Sequence, residues 1–248
     1  MKQKKKIFGL VGRNIDYSFS AGYFNKKFTK KKLDNYIYKN FDIDDISQFK
    51  SVVSDTKNLK GLNVTIPYKE AILPLLDNVS KNAKIIGAVN TIAVGKKKLK
   101  GYNTDHYGFR KVLKPMLEAY HQKALILGTG GASKAVAFAL RKLKIEYDFV
   151  SRTSTDVVFG YDDIDYNVFN EYQIIINTTP LGTFPNITEC PDIDYTLFTE
   201  KHIAFDLVYN PEETTFLRKA KDNGAKIKNG EQMLVYQAEK AWEIWNKK

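Results

Sequence analysis

Lys69 and Asp105 are the two residues whose types and surroundings best suit proton transfer. Lys69 closes the stretch NVTIPYK and Asp105 closes the stretch GYNTD, and both stretches are rich in hydrogen-bonding side chains. When hydride reduces a carbonyl, its oxygen must gain a proton, which a lysine ammonium can donate while a carboxylate orients the reacting groups. His106 and His121 are weaker candidates because neither stands in such a cluster. A helix N-cap is the alternative role for Asp105.

The polar residues around this pair lie where predicted strands end and helices begin. Asn63 and Thr65 are two positions apart and share one face of a strand, while Lys69 follows in the first helical turn. Ser18 and Ser20 precede a helix, where a pair of serines either caps the helix or binds a carboxylate. The other clustered polar residues of this half are Asn90, Thr91, Asn103 and Thr104. Because ligands bind at the carboxyl ends of strands in α/β folds, we expect a binding site there.

The stretch GTGGAS, residues 128–133, follows a predicted strand and opens a predicted helix. Glycines let backbone N–H groups approach a pyrophosphate, and the helix N-terminus adds a favourable potential. A tight turn without a ligand is the alternative, but the second βα half that follows favours a dinucleotide. The next strand ends in Ser151, Arg152 and Thr153, not in the acidic residue that binds a ribose 2′-hydroxyl. Because a guanidinium suits a 2′-phosphate, NADP is favoured over NAD.

Apolar runs alternate with helical periodicity along the chain, which predicts an α/β fold with mainly parallel sheets. The predicted strands cover 7–11, 36–41, 62–66, 89–94, 98–101, 124–127, 147–150, 174–177 and 203–207. The predicted helices cover 18–28, 46–54, 68–76, 107–117, 133–143, 213–223 and 230–246. The segment 154–171 is too short for the helix usual between such strands, and we expect it to be irregular. The pattern divides near residue 101 into two lobes.

The composition is that of a folded protein. Hydrophobic residues make up 43% of the 248 residues, and no run reaches the roughly 18 apolar residues of a membrane helix. The formal net charge of +11 comes largely from lysine clusters at 2–6, 30–32 and 96–100, which we interpret as solvated surface. No nucleic-acid-binding module accompanies this charge, so we expect no nucleic-acid partner.

Cysteine usage and the N-terminus bear on the compartment. Cys190 is the only cysteine, so no intramolecular disulfide and no cysteine-based metal site is predicted. The apolar run at 7–12 is too short for a secretory signal, although lysines precede it. A cytoplasmic location is therefore the expectation.

Nine short stretches, in order along nearly the whole chain, resemble the shikimate dehydrogenase family. They are SFS at 18–20, NVTIPYK at 63–69, GAVNT at 87–91, NTD at 103–105, GTGGASKA at 128–135, SRT at 151–153, NTTPLG at 177–182, DLVYNPEETTFL at 206–217 and GEQMLVYQA at 230–238. The resemblance implies a two-lobed α/β enzyme with an N-terminal α/β substrate domain and a Rossmann-like NADP-binding domain. It also implies the NADPH-dependent, reversible reduction of 3-dehydroshikimate to shikimate, on the route to chorismate and the aromatic amino acids.

The same resemblance implies roles for individual residues. Lys69 and Asp105 would be catalytic. The substrate would be bound by Ser18, Ser20, Asn63, Thr65, Asn90, Tyr209 and Gln237. The cofactor NADP would contact Gly128, Gly130, Gly131, Ala132, Ser151, Arg152, Thr153, Thr178, Leu207 and Gly230, and no metal is implied. The substrate-binding and catalytic domain would be discontinuous, 1–101 plus 230–248, around an NADP-binding domain, 102–229, in a monomer or homodimer.

The chain departs from the family pattern near the predicted 2′-phosphate site. Ser151 stands where the family has Asn, and the usual second arginine is absent from the segment 154–156. Asp156 brings a negative charge to this region, so we expect a weaker preference for NADP. A relative that accepts quinate or uses NAD is one alternative, and Arg152 argues against it. A binding module without activity is another, and Lys69 argues against that.

Overall fold

The computed structural model describes residues 4–16, 18–96 and 98–247. It divides the chain into two compact units. The first comprises the described residues up to Thr104 together with those from Gln237 onward, and the second runs from Asp105 to Tyr236. The assignment of substrate and cofactor roles to 1–101 plus 230–248 and to 102–229 stays a prediction. Lys2 and Lys97, which belong to two of the predicted lysine clusters, lie outside the described residues.

The first unit is built on one mixed sheet. Its strands are β1 (Lys6–Gly12), β2 (Tyr36–Asp42), β3 (Leu59–Val64), β4 (Asn78–Val79), β5 (Thr91–Val94) and β6 (Leu99–Tyr102), in the order β2-β1-β3-β5-β6-β4. Its helices are α1 (Phe19–Lys30), α2 (Phe49–Asp55), α3 (Tyr68–Ala71) and α4 (Lys81–Ile86). β1 pairs in parallel with β2 and β3, whereas β5 is antiparallel to β3 and β6. The predicted hairpin over Gly95 is thus confirmed.

The first unit differs from the predicted elements at several boundaries. β3 ends at Val64, earlier than the predicted residue 66. The helix predicted over 68–76 ends at Ala71 and continues as a 3₁₀ turn at Leu73–Leu75, because Pro74 cannot donate the hydrogen bond of an α-helix. The helix predicted from residue 46 begins as a 3₁₀ turn, Ile46–Gln48, before α2, in a stretch without proline.

The second unit is built on a fully parallel sheet. Its strands are β7 (Lys123–Leu127), β8 (Glu146–Ser151), β9 (Phe159–Gly160), β10 (Ile174–Asn177), β11 (Ile203–Asp206) and β12 (Lys226–Lys228), in the order β12-β11-β10-β7-β8-β9. Its helices are α5 (Asp105–Leu113), α6 (Gly131–Leu143), α7 (Tyr166–Glu171) and α8 (Thr215–Asp222), and the chain ends in α9 (Glu231–Asn246). β10 and β11 are buried along their whole length, as expected for a parallel sheet covered on both faces.

The expectation of an irregular segment at 154–171 was wrong in part. Within it the structure has the short strand β9 and the helix α7. Asp165 caps α7 by accepting a hydrogen bond from the N–H of Val168 at 2.8 Å. The helix is only six residues long, which is less than two turns, so the sequence shows no repeated helical pattern there.

The C-terminal half of α9 packs in the first unit. The ring of Trp245 lies 5.1 Å from that of Phe8 and 5.2 Å from that of Phe24, between centroids. Its Nε1 donates to the backbone oxygen of Ile92 at 3.0 Å. Gly61 lies against the same indole, where a Cβ would overlap the ring. Among the described residues, every helix is too short or too polar to span a bilayer.

Candidate active site

Asn63 is the centre of the buried polar residues of the first unit. Its Nδ2 donates to the backbone oxygen of Asn90 at 3.1 Å and to Oγ1 of Thr91 at 3.2 Å. Its Oδ1 accepts from the hydroxyl of Tyr38 at 2.7 Å. Since a backbone carbonyl can only accept, the Asn90 carbonyl fixes which end of the Asn63 amide carries the nitrogen. Both hydrogens of the Asn63 amide are thus used within the protein, and its Oδ1 is the atom that can accept a further hydrogen bond.

A second amide, that of Asn90, links three segments of the same unit. Its Oδ1 accepts from the N–H of Thr104 at 2.7 Å and from Oγ1 of Thr91 at 3.1 Å. Its Nδ2 lies 3.0 Å from Oγ1 of Thr104 and 3.4 Å from Oε1 of Gln237. Buried polar groups connected in this way hold one another in a single orientation. The structure thus brings together Asn63, Asn90 and Gln237, which were selected separately from the sequence.

The two serines occupy the start of α1. Ser18 is the N-cap, and its Oγ accepts from the N–H of Ser20 at 3.2 Å. This bond uses a lone pair of the Ser18 hydroxyl and does not use its hydrogen. Ser20 is buried. Thr65 follows the end of β3 and is half-buried.

Tyr38 was not predicted from the sequence, although its hydroxyl binds the predicted site residue Asn63. Its ring stacks on that of Phe24 with centroids 4.7 Å apart, and the residue is 3% exposed. Burial raises the pKa of the Tyr38 phenol well above its usual value, so the hydroxyl stays protonated. It donates a hydrogen bond to Oδ1 of Asn63. The available signal was a tyrosine inside a predicted strand, since a tyrosine hydroxyl needs a partner when it is buried.

The two predicted catalytic residues each stand at the start of a helix. Lys69 lies in the first turn of α3 and is half-buried. Its backbone oxygen accepts from the N–H of Val89 at 2.7 Å, which ties this turn to the segment before β5. Asp105 opens α5 and is buried. The predicted pairing of their side chains stays a prediction.

The two histidines that were ranked lower from the sequence are held as neutral rings. Burial, together with the charge of Arg110, lowers the pKa of His106 to about 4, and its ring packs edge-on against Phe138. Burial also lowers the pKa of His121, whose Nδ1 accepts from the N–H of Glu118 at 2.8 Å. At pH 7 neither ring carries the acidic proton that carbonyl reduction requires.

The glycine turn lies between β7 and α6, as predicted. Gly128 has a φ of +105°, and a Cβ there would lie 2.9 Å from Oγ1 of Thr178, so only glycine fits without strain. Gly130, by contrast, faces open space, since no atom lies within 4 Å of the place a Cβ would take. It also precedes α6 without a side-chain cap. This open cradle at a helix N-terminus fits a pyrophosphate.

Three other predicted cofactor contacts follow β10, β11 and β12. Thr178 donates its hydroxyl to the backbone oxygen of Leu127 at 2.7 Å, beside the glycine turn. Gly230 packs on Leu207 so closely that any Cβ would overlap the Leu207 carbonyl. Tyr209, which lies two residues after Leu207 in the sequence, is half-buried. Because all strands of this sheet are parallel, these residues gather at its carboxyl edge, where ligands bind in such folds.

Asp206, which was not selected from the sequence, is buried and links residues at this edge of the sheet by hydrogen bonds. Its Oδ1 accepts from Nδ2 of Asn177 at 3.0 Å and from the N–H of Val208 at 2.9 Å. Its Oδ2 accepts from the hydroxyl of Thr214 at 2.6 Å. Burial raises the pKa of the Asp206 carboxyl to about 7, although these donors oppose the rise. The carboxyl therefore holds the ends of β10 and β11 and the N-cap of α8 together.

The predicted 2′-phosphate site lies at the end of β8. Ser151 is the last residue of that strand, and its Oγ accepts from the N–H of Thr153 at 3.4 Å. Arg152 and Thr153 are exposed. Two backbone hydrogen bonds, of 2.9 and 3.2 Å, close a tight turn at 155–158, and Asp156 is exposed in it. An exposed guanidinium suits a phosphate, whereas the nearby carboxylate opposes it.

The fold and these residues define the class of the protein: a two-unit α/β oxidoreductase with a Rossmann-like unit for a nicotinamide dinucleotide. Comparison with known proteins makes the assignment specific. The chain belongs to the shikimate dehydrogenase family. The sequence model of the shikimate dehydrogenase substrate binding domain matches residues 10–92. A relative named shikimate dehydrogenase (NADP(+)), from Methanococcus aeolicus, is 37% identical over 99% of this chain and 93% of its own length.

Solved structures agree with this assignment. A shikimate dehydrogenase crystallised with NADP+ has a TM-score of 0.86 and 36% identity, covering 98% of this chain and 90% of its own. The enzyme from Thermus thermophilus, solved with NADP(H) and shikimate, has a TM-score of 0.86 and 32% identity, covering 97% of this chain and 93% of its own. The predicted family and fold class are therefore confirmed.

Proposed function

We propose that this chain is an NADP-dependent shikimate dehydrogenase, which reversibly reduces 3-dehydroshikimate to shikimate on the route to chorismate and the aromatic amino acids. The observation that carries the proposal is the buried network of Asn63, Asn90, Thr104 and Gln237, in a chain related to enzymes of that name over nearly its whole length. Pre-oriented amides and hydroxyls suit a ring that carries several hydroxyl groups, and they discriminate against ligands without them.

The substrate is held by hydrogen bonds in this proposal. Ser18 and Ser20 contact its carboxylate at the N-terminus of α1, where a negative charge is favourable. The ring hydroxyls are bound by Thr65, Asn90, Asp105 and Gln237, with Asn63 and Tyr209 as further contacts. The network within the first unit supports the roles of Asn63, Asn90 and Gln237, because these amides are already fixed in orientation.

The chemistry requires a hydride on carbon and a proton on oxygen. NADPH supplies the hydride when it is bound. Lys69 donates the proton to the carbonyl oxygen during reduction and, as a neutral amine, accepts it during oxidation. Asp105 orients the lysine and the substrate hydroxyl. The pairing of Lys69 with Asp105 is proposed from the motifs NVTIPYK and NTD.

The cofactor is held by the second unit. Its pyrophosphate lies against Gly128, Gly130, Gly131 and Ala132, where the open cradle at the start of α6 supports the proposal. Its 2′-phosphate is bound by Ser151, Arg152 and Thr153. Thr178, Leu207 and Gly230 are further contacts at the carboxyl edge of the sheet.

The remaining expectations concern partners and location. We propose that the partners are the small molecules alone, without nucleic acid, and that the protein works as a monomer or homodimer. A cytoplasmic location stays a prediction. The sequence has one cysteine, Cys190, and this supports the prediction because secreted proteins commonly use disulfides.

A steady-state assay of shikimate oxidation tests the function. Purified protein is mixed with shikimate and NADP, and the appearance of NADPH is followed by absorbance, with quinate and NAD as alternative substrates. We expect activity with shikimate and NADP to exceed that with either replacement. Folded protein that produces no NADPH from shikimate would contradict the proposal, and faster oxidation of quinate would point to the alternative substrate.

A further inference from the structure

Thr91 lies between two buried amides of the first unit, those of Asn63 and Asn90. It is fully buried and is the first residue of β5. Its Oγ1 lies 3.2 Å from Nδ2 of Asn63 and 3.1 Å from Oδ1 of Asn90. Thr91 was among the clustered polar residues of the sequence, but without a role in the predicted site.

Backbone groups fix the orientation of both amides. The Asn90 carbonyl can only accept, so the Asn63 atom that lies 3.1 Å from it must be the nitrogen. The N–H of Thr104 can only donate, so the Asn90 side-chain atom that lies 2.7 Å from it must be the oxygen. Thr91 therefore has a donor on one side and an acceptor on the other.

A hydroxyl suits this position because it can accept and donate at the same time. Oγ1 of Thr91 accepts from Asn63 and gives its single hydrogen to Oδ1 of Asn90. The Thr104 hydroxyl is a second neighbour of this oxygen, but it lies farther away, at 3.3 Å, and itself accepts from Nδ2 of Asn90 at 3.0 Å. The hydrogen bonds from Asn63 to Asn90 consequently run in one direction.

The same direction continues to Gln237 on α9. Because Thr104 fixes Oδ1 of Asn90, Nδ2 is the end that faces Gln237, and the Gln237 atom that lies 3.4 Å from it must be Oε1. None of these bonds uses Nε2 of Gln237. At the other end of the chain, the Tyr38 hydroxyl donates to Oδ1 of Asn63 at 2.7 Å. Asn63 thus offers a ligand an oxygen, whereas Gln237 offers N–H hydrogens.

We propose that Thr91 is a positioning residue of the substrate site: its hydroxyl joins the two amides in one direction and so makes Asn63 an acceptor and Gln237 a donor. This inference rests on the proposed function, since the ligand is the same ring with several hydroxyl groups. A hydroxyl group can both give a hydrogen and receive one, so an acceptor and a donor in fixed places are complementary to such a ring. Thr91 acts through the amides and not by contact with the substrate.

The first test compares two substitutions at Thr91. Thr91→Val keeps the shape of the side chain but can neither accept nor donate, whereas Thr91→Ser keeps the hydroxyl. KM and kcat for shikimate are measured at saturating NADP, together with the melting temperature. We expect Thr91→Val to raise KM by about tenfold, with kcat altered less than KM, and Thr91→Ser to raise KM by about two- to threefold at most. A lower melting temperature of Thr91→Val with an unchanged KM would overturn the inference, because Thr91 would then be merely structural.

Thr91→Cys replaces Thr91→Val if the latter does not fold. Thr91→Cys and Thr91→Ser differ by one atom, and a thiol is a much weaker donor and acceptor than a hydroxyl. The KM for shikimate should therefore be about threefold or more higher in Thr91→Cys than in Thr91→Ser. Equal KM values in this pair would overturn the inference as well.

The second test is a double-mutant cycle between Thr91→Val, or Thr91→Cys, and Gln237→Ala. If Thr91 orients Gln237, the glutamine contributes less to binding once the Thr91 hydroxyl is removed. Gln237→Ala should then raise KM by about tenfold in the native background and by about two- to threefold in the Thr91 variant. Equal increases in both backgrounds would show that Thr91 does not act through Gln237, which would overturn the inference.

Ser18→Ala is the matched control for this cycle. Ser18 is also a proposed substrate contact, but its hydroxyl accepts from the N–H of Ser20 at the start of α1. Ser18→Ala should therefore raise KM by the same factor with and without the Thr91 hydroxyl. If its effect shrinks as much as that of Gln237→Ala, Thr91 has no specific influence on Gln237, and the inference fails.

The outcomes separate this inference from the proposed function. If the unmodified protein oxidises shikimate and the Thr91 variants keep its KM, the function stands and Thr91 is not a positioning residue. If the unmodified protein oxidises no shikimate, the proposed function fails, and the inference fails with it.

Discussion

Asp206, although fully buried, accepts a hydrogen bond from the hydroxyl of Thr214 at 2.6 Å. The other carboxyl oxygen accepts from Asn177 and Val208. All three donors are neutral, and burial raises the pKa of this carboxyl to about 7. Between about pH 4 and 7 the folded protein therefore holds a proton on Asp206 that the unfolded chain, with a pKa of about 3.9, releases.

This shift predicts a pH dependence of stability. Because the folded pKa is raised, the stability that it contributes is complete below about pH 4 and is lost as pH rises through about 7. Between about pH 4 and 7 the free energy of unfolding should therefore fall in the native protein relative to Asp206→Asn. Asn can preserve the contacts, since its Oδ1 accepts from Asn177 and Val208 while Thr214 turns to accept. Urea unfolding at several pH values measures the difference, and parallel curves for the two proteins would contradict it.

Lys69→Ala should lower kcat for shikimate oxidation by about 10²–10⁴-fold, with a smaller change in KM, because the lysine transfers the proton. Its melting temperature should stay close to that of the native protein, since the side chain is half-buried in a short helix. Lys84→Ala is the control, as Lys84 is an exposed lysine in the last turn of α4. Turnover by Lys69→Ala equal to that of the control would remove Lys69 from the chemistry.

Arg152→Ala should weaken NADP binding by about tenfold or more and leave NAD binding unchanged, because only NADP carries the 2′-phosphate. Dissociation constants from quenching of protein fluorescence measure both cofactors. Arg141→Ala, an exposed arginine in the last turn of α6, controls for the loss of a positive charge. An unchanged ratio of the NADP and NAD constants would show that another residue selects the cofactor.

Asp156→Asn should strengthen NADP binding, most clearly at low salt, because it removes a negative charge near the predicted phosphate site. Asp162→Asn is the control, since this exposed acid stands further along the same segment. The same fluorescence titration applies. Equal NADP constants for Asp156→Asn and Asp162→Asn at low ionic strength would exclude a specific effect of Asp156.

Gly128→Ala should lower the stability of the protein, whereas Gly130→Ala should weaken its binding of NADP. Gly128 has a positive φ and lies against Thr178, so alanine there should lower the stability by about 1–3 kcal/mol. Gly130 has a φ of −77° and open space around it, so alanine should fold normally but place a methyl group where the pyrophosphate lies. Melting temperature and NADP affinity separate the two effects. Full NADP affinity in Gly130→Ala would contradict the proposed cradle.

Several elements followed from local sequence alone. The strand 174–177, the hairpin over Gly95 and the cap at Ser18 agree with their prediction, because apolar periodicity, turn residues and N-cap preferences act over a few neighbouring residues. Predictions failed where elements were too short to show a period, as with β9 and α7, and at Pro74, where the predicted helix changed to a 3₁₀ turn.

The family, the fold class and the separate residues of the proposed site can be read from the amino-acid order, since nine motifs in a fixed succession carry that information. How those residues are joined required the folded arrangement. Tyr38 and Asn63 meet although β1 lies between their strands, and Asp206 binds Asn177 because β10 and β11 are neighbours. Sheet order is set by burial of whole elements against one another, which periodicity along a single strand does not record.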